Sequence, residues 1–170
     1  MSFTNPVTQS IVAFLQEIGL EIAPAVLNEE TFLPGIEVNA GRLLIDETKL
    51  LYPGDLLHEA GHLAMLSSTQ RAQAGGQLAP VGDEPANETV IEAAAIAWSF
   101  AALTWLKLDP TVVFHPYGYR GQAAALLFGY QMGVYPGAPA LAAAGLTLLV
   151  AEARQQGVPS YPSMLKWLRD

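Results

Sequence analysis

The sequence has no cysteine among its 170 residues. This absence excludes a disulfide framework and thiolate chemistry, and it is typical of proteins that work in a reducing compartment. Basic residues are also scarce, because 8 Lys and Arg stand against 16 Asp and Glu and give a formal net charge of −8. No basic run offers a surface for a polyanion, so we expect neither nucleic acid nor an anionic membrane surface as a partner.

Long hydrophobic runs are missing as well. The two longest uncharged apolar runs, 93–106 and 138–151, are shorter than the roughly 18 to 20 residues that a membrane span needs. We therefore interpret both runs as buried helices. The first basic residue is Arg42, so the N-terminus lacks the positive region of a cleaved signal peptide. Together with the lack of cysteine, this predicts a cytoplasmic protein.

What is present is typical of one globular domain. Hydrophobic residues make up 51% of the chain and charged residues 14%, and a chain of this length can bury a core. An amphipathic helix is predicted from Pro6 to Gly19, followed by a short β region. Within that region 21–27 is a candidate strand, and 36–45 is predicted to form a hairpin with its turn at 39–41. Most of the remaining chain has helical composition, so the predicted fold class is α+β, mainly α.

The later part of the chain is predicted to alternate helices and breaks. A polar, Gly-rich stretch, 67–85, is expected to be a long loop. The helices that we predict after it are 87–107, 122–133, 141–155 and 161–169. Trp98 and Trp105 are seven residues apart, a helical repeat, which favours core positions for both. The many alanines permit close packing of helices, and an exposed part of this surface could form a homodimer.

The most informative stretch is 56–64, which contains the pattern His-Glu-x-x-His at His58, Glu59 and His62. Histidines at i and i+4 lie on the same face of a helix, so both imidazoles can bind one metal ion, and Glu59 lies beside them. Imidazole nitrogens suit zinc, and a catalytic zinc site has three protein ligands and one water. A glutamate at this position can take a proton from that water, whose pKa the cation lowers.

This motif resembles the active-site helix of the zincin metallopeptidases. The resemblance implies one Zn²⁺ ion per chain, a compact zincin-like domain with a small sheet beside the active-site helix, and a peptide or protein substrate. It also implies that Glu59 acts as general base and that an edge strand holds extended substrate. The compact size is similar to that of the intracellular ImmA/IrrE-type peptidases, although the sequence shows no helix-turn-helix. Two alternatives stay open: a non-catalytic metal site, and a metal-free interaction module.

The third metal ligand is expected from the next helix, where Glu88 and Glu92 lie on one face at i and i+4. Glu92 is favoured, because a carboxylate in so apolar a helix is costly unless a cation neutralises it. Glu88 lies near the helix start, where an acid complements the dipole and can remain in water. The gluzincin branch of the family implies the reverse, with Glu88 as ligand and Glu92 supporting a histidine. We predict Glu92 as the ligand and keep Glu88 as the alternative.

A second polar stretch, 114–122, lies between two apolar helices and contains His115, Tyr119 and Arg120. Its glycines permit unusual backbone angles. In metallopeptidases a His, Tyr or Arg opposite the catalytic glutamate often stabilises the oxyanion, so the resemblance implies this role for one of these three residues. A hydrogen-bonded structural corner is the alternative for the stretch. His115 is also an alternative third zinc ligand.

Overall fold

The computed structural model describes residues 3–27, 31–75 and 85–170, with side chains described from residue 88 in the last range. Within these ranges the chain forms helices around one small mixed sheet, which confirms the class α+β, mainly α. The helices are α1 (Pro6–Glu17), α2 (Asp55–Met65), α3 (Ser68–Gln73), α4 (Pro85–Leu106), α5 (Ala123–Gln131), α6 (Ala138–Ala143) and α7 (Val150–Gln156). The strands are β1 (Ile22–Pro24), β2 (Ile36–Asn39) and β3 (Arg42–Ile45).

Helix α1 begins and ends where its local sequence predicts. The Asn5 side chain accepts hydrogen bonds from the backbone N–H groups of Val7 and Thr8, and therefore caps the helix. The chain leaves the helix through Gly19, whose φ of +97° suits glycine. The buried residues on the inner face of α1 are Thr8, Ile11, Val12, Phe14 and Leu15.

The sheet has the strand order β1-β3-β2, with β1 parallel and β2 antiparallel to β3. The predicted hairpin is confirmed, since Ala40 and Gly41 form its turn with positive φ at both residues, as a type I′ turn requires. The candidate strand 21–27 is regular only in its centre, as β1. Among the described strands, β2 pairs only with β3, so its other edge is free of strand partners.

Helix α4 is the central element of the core and packs against α1, α2 and α6. Trp98 on this helix is fully buried, and its indole Nε1 donates a hydrogen bond to the backbone oxygen of Trp167 at 2.9 Å. The prediction that Trp105 also lies in the core is wrong, because Trp105 is 67% exposed. It lies in the last turn of α4, where its described aromatic neighbour is the ring edge of Trp167, 6.2 Å away.

The apolar run predicted at 93–106 is part of a longer helix than expected. Within the described residues, Glu88–Leu106 is the one helical segment long and apolar enough to cross a membrane by length and composition alone, and half of its window is buried within the protein. The run-length criterion therefore does not exclude a span at this segment. A core helix passes the same test, so the observation carries little weight.

The predicted loop 67–85 contains a helix. Ser67 and Gln70 form a capping box, in which each side chain bonds to the backbone N–H of the other residue, and this starts α3. Helix α3 is short and mostly polar. It therefore has no apolar periodicity from which it could be predicted. The rest of that prediction, at 76–84, lies outside the described residues.

The predictions of one helix at 141–155 and another at 161–169 are wrong. The chain breaks after α6 at Gly145, whose φ is +73°, and resumes as α7 only at Val150. The intervening backbone pairs with the C-terminal segment: Tyr161 donates to the Leu148 oxygen at 2.9 Å, and Leu165 donates to the Leu146 oxygen at 2.8 Å. These long-range hydrogen bonds replace the helical ones, so the run 138–151 is not one buried helix.

Candidate metal centre

Helix α2 places the three motif residues on the wall of one cavity. Leu56, Leu57, Ala60, Gly61, Leu63 and Ala64 are the buried residues of this helix. His58, Glu59 and His62 lie between them and line the cavity. At the start of the helix, Gly54 passes so close to Val112 that a Cβ would lie 1.9 Å from the Val112 oxygen. The backbone before α2 is therefore fixed against the segment that follows α4.

Close packing of α2 against α4 brings the third donor to the histidines. A Cβ on Gly61 would lie 2.7 Å from the backbone oxygen of Ala95, so only glycine allows this approach of the two helices. Glu92 lies one turn before Ala95 on α4 and faces His58 and His62 across the contact. The glycine inside the motif thus positions a candidate ligand that lies thirty residues after the second histidine.

Donor atoms of three side chains lie at separations close to those of a tetrahedral metal site. The Nε2 atoms of His58 and His62 are 3.2 Å apart. Oε1 of Glu92 lies 3.5 Å from the His58 nitrogen, and Oε2 lies 3.3 Å from the His62 nitrogen. In a tetrahedral site with bonds of roughly 2.0–2.1 Å, two ligand atoms are about 3.3–3.4 Å apart. The group His58, His62 and Glu92 could therefore hold one metal ion.

The protonation states suit a cation as well. Burial lowers the pKa of His58 to about 4, so this imidazole is neutral near pH 7. The hydrogen bond from His62 lowers the pKa of Glu92 and outweighs the effect of burial, so the carboxylate is ionised. A divalent cation would replace the His62 proton in this contact, and both imidazoles could then offer a lone pair to it beside the ionised carboxylate. Glu92 was favoured as the ligand because a carboxylate in an apolar helix was expected to be buried. This reason is only partly correct, since the side chain of Glu92 is 47% exposed.

Glu88 does not join this group. It lies one turn earlier on α4, is exposed, and lines the same cavity. Among the described residues, the one group of three or more ligand-type side chains close enough to share a metal ion consists of the two histidines and Glu92. The geometry therefore favours the predicted ligand over the gluzincin-type alternative, in which Glu88 would bind the metal.

Glu59 lies in the same cavity with a perturbed acidity. Burial raises the pKa of its carboxyl group, the charge of His62 opposes this, and the charges of Asp55 and Glu92 add to it. A carboxylate with a raised pKa is a better proton acceptor near neutral pH than an ordinary glutamate. The position and the electrostatics of Glu59 agree with those of a general base.

The cavity has a volume of about 840 Å³ and is formed by four parts of the chain. These are α2, the start of α4, strand β2 with the residues before it, and the turn that contains His115. The volume lies in the range of small-molecule and cofactor sites. The three donors therefore line an accessible cleft and are not enclosed within the core.

Tyr119 and Arg120 are held in a strained turn beside the donors. Both have φ of +54°, which residues other than glycine seldom adopt. Such outliers cluster at functional sites. The ring of Tyr119 meets His58 edge to face at 5.6 Å, and burial raises the pKa of its phenol, so the hydroxyl remains a hydrogen-bond donor. Arg120 is exposed at the cavity wall, and its charge contributes to the lowered pKa of Glu92.

His115 is brought to the cavity but not to the donor group. Its Nε2 lies 3.0 Å from the Asp55 carboxylate, its ring stacks on Tyr52 at 3.7 Å, and its buried Nδ1 has no hydrogen-bond partner. His115 is absent from the three-residue cluster formed by the described ligands, so the alternative in which it is the third zinc ligand is not supported.

Asp55 and Tyr52 are site residues that the sequence did not reveal. Asp55 lies in the first turn of α2, where an acid complements the helix dipole, yet burial raises the pKa of its carboxyl group and its partner is His115, 60 residues away. The i, i+4 spacing of Asp55 and Glu59 on α2 was a usable signal, because it places a second carboxylate on the cavity side of the helix. The stacking of Tyr52 had no sequence signal.

Comparisons with protein-family models, with curated proteins and with solved structures find no match for this chain. The resemblance to zincins therefore depends on the sequence motif alone.

Proposed function

We propose that this protein is a zinc-dependent metallopeptidase. The observation that carries the proposal is the cluster of His58, His62 and Glu92, whose nitrogen and carboxylate oxygen atoms lie 3.2–3.5 Å apart. A set of two imidazoles and one carboxylate is typical of catalytic zinc sites. Glu59 lies in the same cavity, at the motif position that supplies the general base.

Each residue then has a role that follows from its position. Bound zinc would act as a Lewis acid and lower the pKa of a water molecule. Glu59 accepts a proton from the attacking water and passes it to the leaving amine. Tyr119 donates a hydrogen bond to the oxygen on which negative charge develops, and Arg120 adds positive charge near it. Asp55 and His115 act as positioning residues, since they hold each other and not the substrate.

The substrate of this proposal is a peptide or protein segment in extended conformation. Ile36, Glu37 and Val38 of β2 line the cavity, and this strand has one edge without a strand partner in the described part of the sheet. Backbone groups at such an edge can bind an added strand.

A non-catalytic metal site is the main competing function. Structural zinc sites are closed and have four protein ligands. Here the described cluster offers three protein donors, and they line a cleft of about 840 Å³. These two observations favour a catalytic site over a structural one.

The first experiment measures metal content and hydrolysis together. Wild-type protein and the variants Glu92→Gln and Glu88→Gln are analysed by elemental mass spectrometry after zinc loading and desalting. We expect about one zinc per chain in wild type and in Glu88→Gln, and an affinity at least about 100-fold lower in Glu92→Gln. Equal loss in both glutamate variants would contradict the ligand assignment.

The second experiment screens wild-type protein and Glu59→Gln against a peptide library. Hydrolysis by wild type should fall about 10²- to 10⁴-fold in Glu59→Gln while zinc content stays the same. Stoichiometric zinc without any hydrolysis would favour the non-catalytic metal site. Absence of zinc from the wild-type protein would favour the metal-free interaction module.

A further inference from the structure

Two exposed aromatic residues stand at the mouth of the cavity. Phe32, which precedes β2, is 76% exposed, and Tyr117, which follows α4 in sequence, is 81% exposed. Both nevertheless line the same cavity as the metal donors. Large aromatic side chains left in water are unfavourable, and groups of them on a surface mark binding sites. The mechanism proposed above uses neither residue.

Tyr117 is the most exposed of three neighbouring rings, the other two being Tyr52 and His115. Tyr52 stacks on the buried His115 at 3.7 Å and 6°, and its centroid is 6.1 Å from that of Tyr117 at 29°. His115 in turn is fixed by Asp55. The inner rings are thus rigidly held, whereas the ring of Tyr117 is covered on few sides. A ring that has an aromatic neighbour on one side and is otherwise exposed can stack with a further ring.

The rest of the described cavity lining is mostly apolar or acidic. Leu33, Ile36 and Val38 on the strand side and Ile91 on α4 provide apolar contact. Among the described lining residues Arg120 is the one Lys or Arg, against five carboxylates. An acidic substrate side chain is therefore disfavoured in this cavity, and a neutral ring is accommodated without charge.

We propose that Tyr117, together with Phe32 on the lining of the same cavity, provides a subsite for an aromatic side chain of the bound peptide. The proposal rests on the proposed function, since it assigns part of the substrate of that site. Offset stacking adds to the burial of apolar area, so an aromatic side chain gains more here than an aliphatic one of similar size. The subsite makes the protein selective for peptides with Phe, Tyr or Trp close to the bond that is cleaved.

The test measures binding, so it does not depend on hydrolysis. The protein carries Glu59→Gln, which keeps any peptide intact, and is used as purified. The probes are acetyl-Ala-Ala-X-Ala-Ala-amide peptides with X as Phe, Leu, Arg or Asp, titrated by NMR. We expect the Phe peptide to bind about three- to tenfold more tightly than the Leu peptide, and the Asp peptide to bind most weakly.

Substitutions then assign the preference to the rings. Tyr117→Ala and Phe32→Ala, added to Glu59→Gln, should reduce the Phe-over-Leu ratio toward one, while Tyr117→Phe should retain it because the ring is kept. Val26→Ala is the matched control, since Val26 is similarly exposed but does not line the cavity. Both aromatic side chains are mostly in water, so their truncation should leave the melting temperature unchanged.

The outcomes separate this proposal from the proposed function. Equal binding of the Phe and Leu peptides, or a preference that survives Tyr117→Ala, would overturn the subsite. Tightest binding of the Arg peptide would overturn it in favour of cation recognition by Glu37 and Glu88. Binding of no peptide at all would overturn both the subsite and the peptide substrate. A Phe preference without hydrolysis by wild type would support the subsite and contradict only the peptidase.

Discussion

Helices α4 and α5 have similar compositions but opposite surroundings. Both are rich in alanine and large apolar residues, and neither has a strongly amphipathic pattern. Ala94 to Ser99 of α4 are all buried, whereas Ala123 and Tyr130 are the buried residues of α5. Composition therefore does not decide which alanine-rich helix lies in the core.

The difference comes from the partners of α4. Two glycines on neighbouring elements touch its backbone: Gly61 of α2 meets the Ala95 oxygen, and Gly137 before α6 meets the Ala93 oxygen. A Cβ on either glycine would overlap these atoms. On α5 a Cβ at Gly129 would meet nothing within 4 Å. An alanine-rich helix has few large side chains that can interlock with a neighbouring element. Such a helix is buried where glycine on the neighbouring element allows the two backbones to approach closely.

The largest effect should come from truncating the core of α4. Trp98→Ala is expected to lower the free energy of unfolding by about 3–5 kcal/mol, because it creates a cavity and removes the hydrogen bond to Trp167. Trp105→Ala on the same helix should cost less than about 1 kcal/mol, since that ring is mostly exposed. Urea denaturation followed by circular dichroism measures both. Similar costs for the two variants would contradict the burial described for α4.

Metal removal should lower the stability of the fold, because the candidate ligands join α2 to α4. At a free zinc concentration of about 100 times the dissociation constant, binding stabilises the folded state by about 2.7 kcal/mol. For a chain of this size that corresponds to a melting temperature about 5–11 °C lower after chelation. Differential scanning calorimetry with and without a chelator measures the shift. Glu92→Gln is the control and should show no shift, and an equal shift in that variant would place the metal elsewhere.

Adding one methyl group should distinguish the two helices. Gly61→Ala is expected to destabilise the fold by about 1–3 kcal/mol and to weaken metal binding, because the new Cβ meets the Ala95 oxygen at 2.7 Å. Gly129→Ala, in the middle of α5, should stabilise the protein by about 0.5–1 kcal/mol, since alanine favours the helix and the space is open. Thermal melts and zinc affinity measure both changes. A neutral Gly61→Ala would mean that the helices do not touch as described.

The smallest effect on stability belongs to the outer surface of α5. Phe128 is 65% exposed and Met132, one turn later, is also exposed. If this surface forms the homodimer that the alanine-rich sequence predicts, Phe128→Glu should convert the dimer to a monomer while changing the monomer stability by at most about 0.5 kcal/mol. Sedimentation velocity measures the state of association. A wild-type monomer at high protein concentration would remove the homodimer prediction.

Much of the fold was predictable where the signal is local. Asn5 and Gly19 bound α1, and Ala40 with Gly41 fixes the hairpin turn, because each of these acts through the backbone of its own neighbours. The helices at 141–155 and 161–169 were predicted wrongly for the opposite reason. The backbone there exchanges helical hydrogen bonds for pairing between Leu146–Leu148 and Tyr161–Leu165, and such pairing over a long sequence separation leaves no local pattern.

For the site itself, the sequence alone determined that His58 and His62 share one helix face with Glu59 beside them, since helical periodicity requires it. Which glutamate joins the histidines depends on how α4 crosses α2, and the contact between Gly61 and Ala95 decides this in favour of Glu92. The partnership of Asp55 with His115 likewise exists only in three dimensions. Local spacing fixes what one helix presents, whereas packing between distant segments decides what that face meets.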